Sequence, residues 1–238
     1  MIPKIIHQLW DGRINPLFDS FKQMSTTWKE YHPDWHYEFW DEIKMEAFIK
    51  NYFPDMIDIY FNYKYDVQRW DLIRYLFLYK MGGMYVDFDY ECLESFDDYI
   101  KDKDKCYFAM EADEHRRAFG KEIYFSNALM ITPPGHPFFE FIITHLQTTS
   151  FKYSERKFHD VLSSTGPLML TNIYEKYENK DVIGFFSPEQ VSPWSQKEVL
   201  SYLEGKADKE KLYKKLGKAI AIHYFWNSWL NNDKIDNY

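Results

Sequence analysis

The sequence predicts an α/β fold with a parallel sheet. Apolar segments of strand length alternate with amphipathic segments of helix length, an order typical of sheets covered by helices. One long apolar helix is followed directly by a strand with an acidic end. Because no repeat, low-complexity linker or change in composition divides the 238 residues, we expect residues 1–238 to form a single domain.

The first elements along the chain predict a strand–helix–strand unit. Residues 4–10 form a short apolar run, and residues 16–31 carry apolar side chains at helical spacing. A second strand is expected over 35–40, followed by a helix over 41–51 with Asp41 as its N-cap. Two strands joined in this way usually lie parallel in one sheet.

The clearest helix covers residues 66–81. Its apolar residues occupy most of the helix circumference, so we expect it to be buried. Gly82 and Gly83 end the helix, and residues 84–89 (MYVDFD) alternate as a strand.

The rest of the chain predicts more elements of both kinds. Strands are expected over 107–111, 125–132, 182–186 and 219–224, and helices over 136–146, 167–177 and 205–218. The last helix contains a basic run, 206–218, that could touch anionic lipid as a peripheral membrane contact. Since Asp208 and Glu210 lie within the run, a solvated helix face is the favoured interpretation.

Composition excludes several classes of protein. With 29 basic and 37 acidic side chains the net charge is −8, which argues against a nucleic-acid partner. An apolar content of 45% excludes a disordered chain, and no apolar run approaches the roughly 18 residues of a membrane-spanning helix. We see no signal peptide, and two cysteines, Cys92 and Cys106, cannot form a disulfide framework. A reduced, cytoplasmic setting is therefore expected.

Two carboxylates, Asp87 and Asp89, occupy alternate positions at the end of the predicted strand over 84–89. Side chains at alternate positions leave the same face, and two carboxylates that converge repel each other unless a cation is present. Oxygen ligands of this kind suit Mg²⁺ or Mn²⁺. An isolated D-x-D is a weak signal, and a solvated acidic turn is the alternative.

A second charged pair, Asp71 and Arg74, lies on the buried helix. Residues three apart share one helix face, and charges are seldom buried without a partner. The pair either forms an internal ion pair that stabilises the helix or faces a cleft beside Asp87 and Asp89 and binds a polar ligand.

The whole run RWDLIRYLFLYKMGGMYVDFD, residues 69–89, closely resembles the signature D-x-x-R-[YF]-x-x-L-Y-x-x-G-G-x-Y-x-D-x-D of the DXD sugar-binding glycosyltransferases, glycosyltransferase family 32. That family includes fungal α-1,6-mannosyltransferases and bacterial capsular polysaccharide enzymes. Similar pieces occur at residues 2–10, 127–137, 165–167 and 223–229, so the resemblance covers nearly the whole chain.

The resemblance implies a GT-A-type fold, with a nucleotide-binding, mostly parallel central sheet flanked by helices. It implies a metal-dependent, retaining transfer of a hexose from UDP-hexose or GDP-mannose to a glycan or lipid-linked saccharide acceptor. Mn²⁺ or Mg²⁺ is the expected cofactor. The expected role is cell-surface or capsular polysaccharide synthesis, in the cytoplasm or at the inner face of the membrane.

Carried onto this chain, the resemblance makes Asp89 a direct metal ligand and Asp87 a ligand of the donor's ribose or sugar that also reaches the metal. Arg74 and Asp71 bind hydroxyls of the donor sugar, and Tyr75 belongs to the same motif.

The outlying pieces supply the other expected site residues. Trp10 stacks on the nucleobase or is an ordinary core aromatic. His223 and Ser228 complete the metal and diphosphate site, and Trp229 covers the β-phosphate. Asn127 and residues 165–167 shape the sugar pocket.

Two more expectations come from position along the chain. Glu111, at the end of a predicted strand, or the nearby Asp113 faces the acceptor. His7, inside an apolar strand, is expected to be a hydrogen-bonded core residue.

Two other functions stay open from the sequence. Haloacid dehalogenase-like phosphohydrolases also place D-x-D after a strand, but their motif usually continues with Thr or Val and lies near the N-terminus. A non-catalytic sugar- or nucleotide-binding module could keep the same fold. A transferase releases nucleoside diphosphate, a phosphohydrolase releases inorganic phosphate, and a binding module releases neither.

Overall fold

A computed structural model describes residues 1–12 and 16–226 of the chain. The strands of this part are β1 (Ile5–Leu9), β2 (His36–Trp40), β3 (Gly83–Val86), β4 (Tyr90–Cys92), β5 (Cys106–Met110), β6 (Phe125–Thr132), β7 (Ile183–Phe186) and β8 (Ala221–His223). Its α-helices are α1 (Asp19–Tyr31), α2 (Glu42–Tyr52), α3 (Ile57–Asn62), α4 (Asp66–Met81), α5 (Asp113–Ala118), α6 (Pro137–Thr148), α7 (Lys157–Ser164), α8 (Pro167–Lys176), α9 (Pro188–Val191), α10 (Gln196–Leu203) and α11 (Lys209–Lys214).

Six of these strands form the main sheet, in the order β2-β1-β3-β6-β5-β7. Strand β1 pairs in parallel with β2 and β3, and β5 pairs in parallel with β7, whereas β6 is antiparallel to both of its neighbours. Five strands therefore run in one direction, which confirms the predicted α/β fold with a mostly parallel sheet. A second sheet pairs β4 with β8.

Two apolar cores cover the two faces of the main sheet. In β3, Tyr85 belongs to one core, whereas Met84 and Val86 belong to the other. The same alternation occurs in β6, where Met130 and Ile131 lie in different cores. Because successive side chains of a strand point to opposite faces, this alternation is what burial on both faces requires.

Helix α4 and strand β6 have the predicted bounds, and Asp41 caps α2 as expected by accepting a hydrogen bond from the N–H of Lys44 at 2.8 Å. The strand predicted over 84–89 ends at Val86. The Tyr90 N–H then donates to the carbonyl of Asp87 at 3.2 Å, which closes a turn. Asp87 and Asp89 are therefore turn residues, and the prediction that they lie on the strand was wrong.

Other differences concern element ends. The helix predicted from residue 16 begins at Asp19, and the strand predicted over 219–224 contains three residues. The helix predicted over 205–218 is the shorter α11, followed by the 3₁₀ turn Lys215–Lys218. Three of its lysines pair with carboxylates, Lys206 with Glu204, Lys214 with Glu210 and Lys215 with Glu198, as expected of a solvated face.

The junction between α4 and β3 is built around Gly82 and His7. Gly82 has a φ of 69° and a ψ of −165°, a conformation that is essentially restricted to glycine. His7 Nε2 donates to the Gly82 carbonyl at 2.9 Å, and its Nδ1 accepts from the Trp40 indole at 3.1 Å. His7 is thus the buried, hydrogen-bonded core residue that the sequence indicated, and burial lowers its pKa to about 4.

Cys92 and Cys106 are both buried, and neither forms a disulfide. In the described part of the chain, no helix has both the length and the apolar character needed to cross a bilayer.

Candidate active site

A cavity of about 250 Å³ opens at the edge of the main sheet where β1, β3 and β5 end. Trp10 follows β1, Asp87 and Asp89 follow β3, and Glu111 follows β5; all four line the cavity. The antiparallel strand β6 begins at this edge, so Asn127 lines it as well. The cavity thus lies at the carboxyl edge of the parallel strands, where open α/β sheets bind their ligands.

Asp71 and Arg74 of α4 also line this cavity. The Arg74 Nη2 atom lies 3.5 Å from Asp71 Oδ1, and its Nη1 atom lies 3.5 Å from Asp87 Oδ1. Asp71 accepts hydrogen bonds from Asn127 Nδ2 at 2.8 Å and from Thr165 Oγ1 at 2.7 Å. The ion pair is therefore internal to the helix and also faces the cleft beside Asp87. That the pair binds a polar ligand stays a prediction.

Arg74 has three further contacts that fix its orientation. Its Nη1 donates to the carbonyl of Asn127 at 3.1 Å, its Nε donates to the carbonyl of Trp70 at 3.3 Å, and its guanidinium lies 4.6 Å from the centre of the Tyr85 ring. A guanidinium held in one orientation is suited to bind adjacent ligand oxygens. Burial raises the pKa of Asp71, although Arg74 acts to lower it.

Asp87 lies next to Arg74 and accepts a short hydrogen bond from the Tyr85 hydroxyl. Burial raises the pKa of Asp87 to about 6; the charge of Asp89 acts in the same direction, and Arg74 opposes both. Two carboxylates of this kind carry an electrostatic penalty that a bound cation would relieve.

Asp89 is held by the segment that follows β8. Its Oδ2 atom accepts the backbone N–H of Trp226 at 2.9 Å and lies 3.5 Å from His223 Nε2. The His223 ring in turn stacks on Tyr90, with centroids 4.2 Å apart. Burial acts to raise the pKa of Asp89, but His223 and the Trp226 N–H lower it below its ordinary value. The small β4–β8 sheet thus brings a histidine to the acidic turn.

These residues are suited by their chemistry to a divalent cation but do not enclose one. Over residues 1–12 and 16–226, no three His, Cys, Asp or Glu side chains are arranged to hold a metal ion. His223 Nδ1 is buried and has no hydrogen-bond partner within the same residues. Two carboxylates and an imidazole with an unsatisfied nitrogen are ligands that Mn²⁺ or Mg²⁺ could recruit, with ligand oxygens completing the shell.

Trp10 and Tyr75 occupy different environments. Trp10 is half-buried in the cavity wall and makes edge contacts with Phe18, Phe21 and Phe88. Tyr75 is fully buried behind the wall, and its hydroxyl donates to the carbonyl of Thr165 at 2.7 Å. Its nearest approach to the site is through the Asn127 amide, which donates to the Tyr75 hydroxyl at 3.0 Å. Tyr75 thus supports the residues that line the cavity and is not one of them.

The two acidic candidates after β5 also differ. Glu111 lines the cavity and accepts a hydrogen bond from His115 Nδ1 at 2.7 Å, whereas Asp113 pairs with Arg116 and does not line the cavity. In the 165–167 segment, Thr165 donates its hydrogen bond to Asp71, and Pro167 lies in the cavity wall. Ser228 and Trp229 lie outside the described residues.

Sequence reasoning missed several cavity residues. His115 lies on α5, Phe119 directly follows it, and Phe158 lies on α7; neither helix was predicted. The i,i+4 spacing of Glu111 and His115 was the available signal. It was weak because α5 has only six residues and carries no apolar stripe.

The fold matches those of solved glycosyltransferases. It resembles "PaToxG Glycosyltransferase" with a TM-score of 0.54 and 16% identity, over 91% of this chain and 79% of the other. A glycosyltransferase involved in the glycosylation of the major capsid of PBCV-1 gives a TM-score of 0.53 and 7% identity, over 95% of each chain. The GT-A-type fold is confirmed.

Residues 19–107 match the family described as "Glycosyltransferase sugar-binding region containing DXD motif". Inositol phosphoceramide mannosyltransferase 2 of Schizosaccharomyces pombe is 30% identical over 233 residues, which are 98% of this chain and 59% of that protein. Mannosyl phosphorylinositol ceramide synthase SUR1 of Saccharomyces cerevisiae is 32% identical over 178 residues, 75% of this chain and 43% of that protein. The chain thus spans between 43% and 59% of these two relatives. The family resemblance is confirmed, and the phosphohydrolase alternative loses its support.

Proposed function

We propose that this protein is a metal-dependent, retaining glycosyltransferase that moves a hexose from a nucleotide sugar to a hydroxyl of a glycan or lipid acceptor. The single observation that carries the proposal is that two charged pairs line the same cavity. The pairs are Asp71 with Arg74 and Asp87 with Asp89. Arg74 lies 3.5 Å from both Asp71 and Asp87, and Asp89 follows two residues later in the same turn. Carboxylates and a fixed guanidinium of this kind bind sugar hydroxyls and, with a cation, phosphate oxygens.

Asp89 and Asp87 are proposed to hold Mn²⁺ or Mg²⁺, with His223 as a further ligand. When bound, the cation would neutralise the charge that develops on the departing nucleoside diphosphate. Arg74 and Asp71 would orient the donor sugar by hydrogen bonds to its hydroxyls, and Trp10 would contact the nucleobase. For Ser228 and Trp229 the proposed role, binding of the diphosphate, is the one that the family resemblance implies.

Mannose is the favoured sugar, and GDP-mannose the favoured donor. One relative is named as an inositol phosphoceramide mannosyltransferase, and another as a mannosyl phosphorylinositol ceramide synthase. We extend to this chain the sugar and the general acceptor class, a glycan or lipid headgroup. A role in surface glycan or glycolipid synthesis follows from this class.

The proposal is tested by release of nucleoside diphosphate from a panel of UDP- and GDP-sugars, with Mn²⁺ and then with a chelator. We expect chelator-sensitive release from GDP-mannose above the other donors. Asp89→Asn should lower the release by about 100-fold or more, the order of loss seen when a group stabilising transition-state charge is removed.

The matched control is Asp113→Asn, because Asp113 lies near the cavity but does not line it. Circular dichroism of both variants separates lost chemistry from lost folding. Full activity of Asp89→Asn in Mn²⁺ would contradict the metal assignment. Tight donor binding without release of diphosphate would instead indicate the non-catalytic binding module.

A further inference from the structure

Glu111 and His115 form a polar pair in the cavity wall that the proposed donor site does not use. Glu111 follows β5 and is anchored by its backbone N–H, which donates to the carbonyl of Tyr124 at 2.9 Å. Its carboxylate accepts the hydrogen bond from His115 Nδ1 at 2.7 Å. A strand end and one turn of helix thus fix the imidazole in the cavity.

The hydrogen bond to Glu111 defines what the other imidazole nitrogen can do. Since a carboxylate only accepts, Nδ1 carries the proton, and in the neutral ring Nε2 is left as an acceptor. The carboxylate of Glu114 lies 4.0 Å from Nε2, beyond hydrogen-bond distance. A hydroxyl suits this nitrogen in either state of the ring, because it can donate to Nε2 of the neutral imidazole and accept from Nε2 of the protonated one.

His115 lies nearer to solvent than the charged pair Asp71 and Arg74 of α4. The His115 side chain is 28% exposed, whereas those of Asp71 and Arg74 are 4% and 7% exposed. We call the part of the cavity at Asp71 and Arg74 its floor and the more exposed part at His115 its mouth. In a site that binds two substrates in one cavity, groups at the mouth remain accessible after the donor occupies the floor. His115 is therefore placed for the second substrate.

Aromatic rings border the pair. The Phe225 ring meets His115 edge to face, with centroids 5.9 Å apart. The Phe119 ring stacks on the Tyr124 ring, with centroids 5.0 Å apart, and Tyr124 is the residue whose carbonyl anchors Glu111. Aromatic rings present apolar surface next to a polar group, a combination that matches a ring with C–H faces and hydroxyl edges.

We propose that Glu111, His115, Phe119 and Phe225 form the acceptor subsite and that it takes a polyhydroxylated ring, a sugar or a cyclitol. In this subsite a ring hydroxyl forms a hydrogen bond with His115 Nε2, and Glu111 is a positioning residue that holds the imidazole. This inference rests on the proposed transferase function and names the substrate class of the same cavity.

The test compares transfer with hydrolysis in the same reaction. GDP-mannose and Mn²⁺ are supplied with methyl α-mannoside or myo-inositol as the acceptor probe, and mannosylated probe and free mannose are quantified together. The acceptor KM and the ratio of transfer to hydrolysis are the readouts. We expect His115→Ala and His115→Leu to raise the acceptor KM about tenfold, which corresponds to about 1.4 kcal/mol.

A double-mutant cycle tests the positioning role of Glu111. Glu111→Ala should raise the acceptor KM in the wild-type background and add nothing in the His115→Ala background, because its effect acts through the imidazole. Glu111→Gln, whose amide oxygen can still accept from Nδ1, should restore part of the loss. Glu114→Gln is the matched control on the same helix and should leave the ratio of transfer to hydrolysis unchanged.

The outcomes are distinguishable from failure of the proposed function. If no donor releases diphosphate in a chelator-sensitive way, the proposed function itself is wrong. If release occurs but the wild type mannosylates neither probe, the subsite does not take a polyhydroxylated ring. If transfer and hydrolysis fall by the same factor in both His115 variants, or if the acceptor KM is unchanged, the acceptor assignment is overturned.

Discussion

Replacement of Arg74 by methionine is the change that most directly tests how the cavity floor is held. Methionine keeps most of the apolar stem of arginine and removes only the guanidinium, so packing against neighbours is largely preserved. The variant then leaves Asp71 and Asp87 without the cation that lies 3.5 Å from each of them. It also removes the contact with the Tyr85 ring.

The expected loss follows from burial. The side chains of Arg74 and Asp71 are 7% and 4% exposed, and removing one partner of a buried pair typically costs about 3–5 kcal/mol. Asp71 keeps its hydrogen bonds from Thr165 and Asn127, and Asp87, 31% exposed, keeps some hydration. We therefore expect a loss near the lower end, about 3 kcal/mol of the free energy of unfolding.

Arg116→Met is the matched control, because Arg116 pairs with Asp113 at the same i,i+3 spacing on a helix. Its side chain is 31% exposed and that of Asp113 is 63% exposed, so the loss should be about 0–1 kcal/mol. Urea unfolding followed by tryptophan fluorescence measures both variants. Equal losses in the two variants, or a loss below about 1 kcal/mol for Arg74→Met, would refute the reasoning that buried charge dominates.

Two further predictions concern the junction between α4 and β3. A Cβ at Gly82 would lie 2.7 Å from Pro134 Cδ and 2.8 Å from Pro3 Cδ, whereas one at Gly120, also with positive φ, meets nothing within 4 Å. Gly82→Ala should therefore lower the free energy of unfolding by about 1–3 kcal/mol more than Gly120→Ala, and equal losses in urea unfolding would contradict this. The pKa of His7 falls from 6.5 to about 4 on folding, so the unfolded chain binds the proton first and stability is lost as pH falls from about 6.5 to 4. The difference between the pH profiles of wild type and His7→Gln in urea unfolding should reach about 3 kcal/mol, and parallel profiles would contradict it.

The parts of the fold that could be predicted are those with a local signal. Helix α4 was predicted with its observed bounds because its apolar pattern is long and a glycine pair ends it. Strand β4 was missed because its three residues pair with β8, more than 120 residues further along the chain. A segment of three residues is too short to show a periodic pattern. Only its pairing in the folded chain identifies it as a strand.

The candidate site was also predictable only in its local features. Local spacing identifies a charged group, but only the fold shows which groups from distant segments contact it. Asp71 and Arg74 were singled out from their spacing on one helix, but the two groups that donate to Asp71 come from β6 and from the loop before α8. Those hydrogen bonds join three distant segments around one carboxylate, so the floor of the cavity is fixed before a ligand enters. His115, in contrast, is hydrogen-bonded to the Glu111 carboxylate at the end of β5 and stays partly exposed. The floor is thus the better preorganised part of the cavity, and the mouth has more freedom to adapt to a second substrate.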